Sequence, residues 1–159
     1  MSIRQLSKRD IRECLDILEQ FGLSSVVAKV KRGVEVSLKK GSLIYLESKP
    51  LLVKKDSYIV PYIEVVPLSN VKRVYVDRGA VKPITNGADV MAPGIVKFDD
   101  FGEGDVVGVF LEGTNSVLAV GIALINSERL KDVKKGKVIK NLHYLSDVFW
   151  NYVKSSSSR

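Results

Sequence analysis

The chain has 159 residues, of which 45% are hydrophobic and 27% are charged. This composition is typical of a folded globular protein and argues against extensive disorder. No window reaches the about 18 apolar residues of a membrane span, and residues 1–5 lack a signal-peptide core. We therefore expect a cytoplasmic protein without membrane attachment, built as one large domain or two small ones.

The charge of the chain is unevenly distributed. The formal net charge is +7; residues 1–74 hold 14 Lys and Arg against 8 Asp and Glu, whereas residues 75–159 hold 11 against 10. An excess of cations favours an acidic partner, most simply nucleic acid. A lysine-rich surface that only keeps the protein solvated would give the same count, so both interpretations stay open here.

The first predicted element is a helix within residues 6–23. Ser7 and Asp10 have the spacing of a capping box, and Gly22 supplies a C-terminal stop. Apolar side chains recur at helical spacing from Ile11 onward. This stripe indicates a face that packs into the core and not a binding groove.

Between residues 26 and 66 the hydrophobic period changes to about 2. Residues 34–38, VEVSL, alternate apolar and polar side chains as a half-buried strand does. We predict a meander of about four or five short strands packed on the helix. Lys31 and Arg32 lie at the first predicted turn. Basic turns of this kind usually only solubilise a protein, and contact with RNA is the competing interpretation.

Residues 67–70 interrupt the apolar runs and are predicted to connect two domains, residues 1–70 and residues 71–159. The second domain shows short strands between glycine corners, which is typical of a small barrel. The fold class is therefore α+β, a small N-terminal helix-plus-antiparallel-meander domain followed by a β-barrel. Within the barrel domain we expect strands at residues 106–111, 117–125 and from 138, a short helix capped by Ser127, a largely buried Trp150, and fraying at residues 155–159.

Residues 76–95, VDRGAVKPITNGADVMAPGI, place glycines and prolines between short apolar runs. Gly79 is predicted to leave a strand through a tight turn with positive φ, because glycine alone takes that conformation without steric cost. A short helical turn follows and ends at Gly87, and Gly94 after Pro93 indicates a second sharp corner. This pattern is typical of a backbone that another molecule approaches closely.

The same stretch carries a family resemblance. Together with GDVVGV at residues 104–109, AVGIA at 119–123 and NLHYLSDVFW at 141–150, it resembles a PUA domain, an RNA-binding module. The ending N-x-H-Y-L-x-D-x-x-W, joined to VDRGA and GADVMAPG, resembles the malignant T-cell-amplified-sequence family of translation factors and its archaeal relatives. In that family a PUA domain follows a smaller N-terminal domain, which implies a PUA-like barrel over residues 71–159.

The resemblance implies an RNA site over the glycine-cornered helix and the next strand. The glycines Gly79, Gly87 and Gly94 remove side chains, the cations Arg78, Lys82 and Lys97 are candidate phosphate partners, and Asn86 is a candidate for a ribose hydroxyl or base edge. Lys31 and Arg32 of the first domain are expected to assist. The alternative is that the glycines only close a barrel.

No catalytic constellation is present in the sequence. It contains neither the G-x-S-x-G motif of a serine hydrolase nor a P-loop lysine. His143 is the only histidine and Cys14 the only cysteine, and the acidic residues 99–105 lack the spacing of a calcium loop. We expect no enzyme activity, no metal and no cofactor.

Three functional classes remain open. The first is a noncatalytic RNA-binding protein in translation, which the resemblance links to transfer RNA or the small ribosomal subunit during noncanonical initiation or recycling. Such proteins work in eukaryotes with a partner that carries an initiation-factor-like domain. The second is an RNA-recognition accessory subunit of an RNA-modification or ribosome-assembly complex. The third is a protein-interaction module whose basic charge is incidental.

Overall fold

The computed structural model describes residues 1–157. The N-terminal half comprises one α-helix, a 3-10 turn (Ser24–Val26) and five strands: β1 (Ser2–Gln5), α1 (Lys8–Gln20), β2 (Gly33–Leu38), β3 (Gly41–Leu46), β4 (Lys49–Lys55) and β5 (Tyr58–Pro61). The strands form one antiparallel sheet in the order β1-β2-β3-β4-β5. The predicted helix and meander are confirmed. Strand β1 was not predicted, since all its residues are exposed and show no alternation.

Helix α1 begins and ends where the local sequence predicts. The Ser7 hydroxyl accepts the Asp10 backbone N–H at 3.0 Å, and Asp10 Oδ2 accepts the Ser7 N–H at 3.2 Å, which completes the capping box. Gly22 follows the helix with φ of +71°. Ile11 and Leu18 are buried and belong to one apolar cluster with side chains of β3 and β4. The helix therefore covers one face of the sheet.

The C-terminal half forms a second sheet around short helical turns. Its elements are β6 (Lys72–Val76), a 3-10 turn (Arg78–Ala80), α2 (Val81–Ile84), β7 (Val90–Met91), a 3-10 turn (Ala92–Gly94), β8 (Ile95–Phe98), β9 (Val106–Leu111), β10 (Val117–Ala123), a 3-10 turn (Ser127–Lys131), β11 (Lys137–Tyr144) and α3 (Val148–Ser157). The strand order is β7-β11-β10-β9-β6-β8, with only β6 and β9 parallel.

This strand order forces the second sheet to curl. β7 and β8 lie at opposite edges of six strands, yet only the three residues Ala92–Gly94 join them. That connection spans at most about 14 Å, much less than the width of a flat six-stranded sheet at about 4.8 Å per strand. The sheet is therefore a curled half-barrel, and the predicted α+β fold class is confirmed.

Several local predictions for the second half are corrected. Ser127 caps no helix; it is buried, and its hydroxyl accepts the Phe101 N–H at 2.9 Å. Trp150 is only half-buried, whereas its neighbour Phe149 is 1% exposed. Fraying is predicted for residues 155–159, whereas residues 155–157 are helical and belong to α3; residues 158–159 lie outside the described residues.

An apolar cluster joins the two sheets. Leu43, Val53 and Val60 of the first sheet pack in it with Phe110 of the second sheet and Phe149 of α3. The 3-10 segment Ile63–Leu68 connects the halves and contributes to the same cluster. The close contact between the halves follows from this shared core, while a division into two folding domains near residue 70 stays a prediction. Among the helices of residues 1–157, none has the length and apolar character needed to cross a membrane.

We expect Phe149→Ala to lower the free energy of unfolding by about 3–5 kcal/mol, because truncating a buried aromatic leaves a cavity between the sheets. Trp150→Ala should lower the free energy of unfolding by less than half of that amount, since the indole is half-buried. Urea unfolding of both variants beside the parent measures the difference. Equal losses, or a larger loss for Trp150→Ala, would contradict the assignment of Phe149 as the anchor of α3.

Candidate nucleic-acid interface

A shallow groove of about 300 Å³ lies where the sheet curls closed. One wall is the turn Arg78–Ala80 with α2, and the other is β7 with the turn Ala92–Gly94. The lining of the groove is largely apolar and includes Pro83, Ile84 and Val90. The groove exists because the short connection between β7 and β8 brings this corner of the sheet beside α2.

The glycines keep this corner open mainly by their missing side chains. The predicted positive φ at Gly79 is wrong, since only Gly87, with φ of +98°, takes the left-handed region among the three glycines of this stretch. A Cβ at Gly94 would lie 3.3 Å from the Ala80 Cβ, and one at Gly79 would lie 3.3 Å from Asp77 Oδ1. The predicted corner at Gly94 is the 3-10 turn Ala92–Gly94. The missing side chain of Gly94 therefore lets the second wall pack closely against Ala80, whereas the contact at Gly79 lies within the first wall.

The two carboxylates that line the groove are already engaged. Asp77 Oδ1 accepts the Ala80 N–H at 3.1 Å and so caps the turn below α2. Asp89 Oδ1 accepts the Asn141 N–H at 2.8 Å, and its Oδ2 lies 3.3 Å from Lys137 Nζ. These contacts reduce the negative potential that would otherwise repel an anion from the groove.

The predicted site residues fall into two groups. Arg78, Gly79, Lys82 and Gly94 lie at the groove or next to residues that line it. The other three predicted residues of the C-terminal half do not line the groove. Asn86 and Gly87 follow α2, and exposed Lys97 lies on β8 with its ammonium 5.5 Å from the centroid of the Tyr75 ring.

Lys31 and Arg32 belong to a different surface. They line a cavity formed by β1, β2 and α3, and none of the residues that line it also lines the groove.

Sequence reasoning missed a lysine-rich loop at the second wall of the groove. Lys137 pairs with Met91 across β11 and β7, and the Ala92 N–H donates to the Gly136 carbonyl at 2.9 Å. Gly136, with φ of +103°, turns the chain there, and the exposed Lys134 and Lys135 precede it. The run KKGK was visible in the sequence, but nothing local indicated that it pairs with residues 91–92.

The residues of the N-x-H-Y-L-x-D motif have structural roles. Asn141 Nδ2 donates to the carbonyls of Ile84 and Ala88 at 3.1 and 2.9 Å and so holds the loop after α2. His143 is 0% exposed, and its Nε2 accepts the Ile63 N–H at 3.0 Å. The proton of this neutral imidazole must therefore lie on Nδ1, which donates to Asp147 Oδ2 at 2.7 Å.

Asp147 links the histidine to α3. Its Oδ1 accepts the N–H groups of Phe149 and Trp150 at 3.0 and 2.9 Å, which caps the helix. Burial by itself raises the pKa of Asp147, but hydrogen bonds from His143 and from the N–H groups of Trp150 and Tyr144 outweigh it and hold the pKa below its usual range. Asp147 is therefore ionised in the folded protein.

Comparison with known proteins identifies this half of the chain. The family description "PUA domain" matches residues 72–145. An uncharacterized protein of Methanocaldococcus jannaschii is 40% identical over 161 residues, which covers 96% of this chain and 99% of that protein. Translation machinery-associated protein 20 of Saccharomyces cerevisiae is 29% identical over 71% of this chain and 67% of its own, and Malignant T-cell-amplified sequence 1 of Rattus norvegicus is 26% identical over 79% and 69%.

The chain belongs to the PUA-domain proteins related to Malignant T-cell-amplified sequence 1 and translation machinery-associated protein 20. The family resemblance of its motifs is thereby confirmed. This PUA-domain protein also resembles a solved structure, that of a hypothetical protein from Pyrococcus horikoshii, with a TM-score of 0.80 and 33% identity over 95% of this chain and 99% of that one. The similarity covers both halves, so the N-terminal helix and meander belong to the shared architecture.

We expect Asp147→Asn to lower the free energy of unfolding at pH 7 by about 2–4 kcal/mol, because the amide NH2 would face the N–H groups of His143 and Tyr144. The pKa of Asp147 is lowered on folding, so the carboxylate stabilises the protein above the usual pKa of about 3.9. This stabilisation is lost as the pH falls through the lower pKa of the folded state.

The gap in unfolding free energy between the parent and Asp147→Asn should therefore shrink between pH 5 and about pH 3. Urea titrations at each pH measure it, with Asp16→Asn on the exposed side of α1 as the matched control. If the difference in unfolding free energy stays constant with pH, the charge of Asp147 does not contribute to the stability of the fold.

Proposed function

We propose that this PUA-domain protein is a noncatalytic RNA-binding protein of translation, acting in the cytoplasm on transfer RNA or the small ribosomal subunit during noncanonical initiation or recycling. The observation that supports it most is the groove with cations at both walls. Arg78 and Lys82 flank one wall, and Lys134 and Lys135 flank the other. Relatives named for the translation machinery support the cellular context.

We propose that the groove receives one unpaired nucleotide of a structured RNA. Its lining is largely apolar, and its two carboxylates are engaged by backbone N–H groups and Lys137, so a base can lie there while the phosphates on either side reach the lysines. We propose that exposed Asn86, which follows α2, meets a ribose hydroxyl of the bound RNA. The predicted assistance from Lys31 and Arg32 is not part of this proposal, because both line a separate cavity. A protein partner with an initiation-factor-like domain stays a prediction.

We expect the affinity for transfer RNA to fall steeply with salt. If the groove neutralises about three to five phosphates, the slope of log affinity against log salt should be roughly −2 to −4. The double substitution Lys134→Ala/Lys135→Ala should flatten that slope by about one to two units without changing which RNA is preferred, because phosphate contacts position a ligand and do not read its bases. Filter-binding titrations measure both quantities.

The matched control removes two cations elsewhere, as Lys8→Ala/Arg12→Ala on the exposed face of α1. It should leave the salt slope close to that of the parent. If the control flattens the slope as much as the loop variant does, binding is nonspecific to the basic surface; if neither variant changes it, the groove is not the RNA site.

Asn86→Ala should narrow the preference for RNA over DNA of the same sequence, since a 2′-hydroxyl is the group that separates the two ligands at one position. Competition of single-stranded RNA and DNA oligonucleotides for the parent and the variant gives this ratio directly. An unchanged ratio would remove Asn86 from the interface without removing the groove.

A further inference from the structure

A second cavity lies away from the groove. It measures about 590 Å³ and separates the outer part of the first sheet from α3. Ile3, Val34 and Val36 line its sheet side, and Tyr45 and Tyr152, whose ring centroids are 6.4 Å apart, line the side toward α3. Tyr45 is partly buried, and this burial raises the pKa of its hydroxyl to about 12.

An apolar row crosses the first sheet and stays uncovered at this cavity. Register pairs connect Ile3 to Val36, Val36 to Leu43, Leu43 to Val53, and Val53 to Val60. Four of these side chains are at most 2% exposed, whereas Ile3 is 57% exposed. The C-terminal half covers the row over β3, β4 and β5, and the cover ends before β1.

The uncovered end coincides with a free strand edge. β1 is the first strand of the sheet and pairs only with β2. The Leu6 N–H donates to the Gly33 carbonyl at 2.9 Å, so by the alternation of antiparallel pairing the backbone groups of Ile3 and Gln5 point away from β2. Unpaired N–H and C=O groups beside an exposed apolar side chain are a template for another strand.

The mouth of the cavity is basic. Lys31 and Arg32 are exposed, and within residues 1–157 neither side chain forms an ion pair. The one carboxylate among the lining residues, that of Glu47, accepts the backbone N–H groups of Lys31 and Arg32 at 3.4 and 3.0 Å. These contacts leave both cationic side chains available to an acidic ligand.

We propose that this cavity is a docking site for an extended acidic segment of another protein, which adds a strand to β1, buries an apolar side chain beside Ile3 and Val34, and pairs its carboxylates with Lys31 and Arg32. Main-chain pairing at a sheet edge supplies affinity, and pockets for alternate side chains supply specificity. A peptide fits better than RNA because the sheet side of the cavity is aliphatic and the edge offers alternating peptide donors and acceptors.

Selection from a phage-displayed library of random peptides of about ten residues on the immobilised full-length protein tests the proposal. We expect the selected peptides to alternate apolar residues with Asp or Glu. Lys31→Glu/Arg32→Glu should weaken a selected synthetic peptide by at least about tenfold, since two attractive pairs become repulsive. The same charge change at the groove, Lys134→Glu/Lys135→Glu, should leave peptide affinity unchanged. Selected peptides without acidic enrichment would overturn the proposal.

The strand edge has its own test. Gln5→Pro removes an outward N–H without breaking the pairing of β1 with β2, so it should weaken the peptide severalfold more than Gln5→Ala does. Thermal melts of each variant verify the fold, and Ile3→Arg provides a second variant on the exposed side chain. Equal binding by Gln5→Pro, Gln5→Ala and Ile3→Arg would overturn strand addition.

Two further outcomes would assign the cavity elsewhere and overturn the proposal. If Lys31→Glu/Arg32→Glu lowers transfer RNA affinity as much as Lys134→Glu/Lys135→Glu does, the cavity belongs to the RNA surface. If the parent forms a dimer that Ile3→Arg dissolves, as measured by sedimentation over a range of concentrations, the occupant is a second copy of the chain.

Discussion

The connection Ala92–Gly94 is the constraint on which the candidate site depends. It joins two strands at opposite edges of a six-stranded sheet with only three residues, so the sheet must curl until those edges approach each other. The curl places α2 against β7 and creates the groove between them. The pairing of β11 with β7 then brings the lysine loop to the far wall. A longer connection would release the edges, and the two basic walls would lose their fixed separation.

A second constraint holds the two halves in one arrangement. His143 joins the connector between the halves, through the Ile63 N–H, to Asp147 at the start of α3. Tyr62 stacks on the imidazole at 5.4 Å and Phe149 meets it edge-on at 5.6 Å, so water is excluded from these hydrogen bonds. His143 and Asp147 thus maintain the architecture, while the cations proposed for RNA lie on exposed turns around it.

The features of the fold and of the candidate site that depend on neighbouring residues could be predicted from the sequence, and those that depend on distant residues could not. The capping box of α1 and the alternation of β2 depend on neighbours within a few residues, and both were predicted. Strand β1 is an exposed edge without alternation, and the lysine loop reaches the groove through pairing with residues about 45 positions earlier in the chain, so neither left a local signal. The sequence does not predict α3. Because this helix turns only one of two adjacent rings toward the core, Phe149 and not Trp150 anchors the C-terminal segment.

The central claim is that RNA lies between α2 and the lysine loop. It is tested most directly by nuclear magnetic resonance of the 15N-labelled protein titrated with transfer RNA, in which each backbone amide reports its own environment. We expect the amide signals of residues 78–97 and 131–137 to shift or broaden together, while those of residues 29–49 change little. Changes confined to residues 29–49, with the groove residues unaffected, would contradict it.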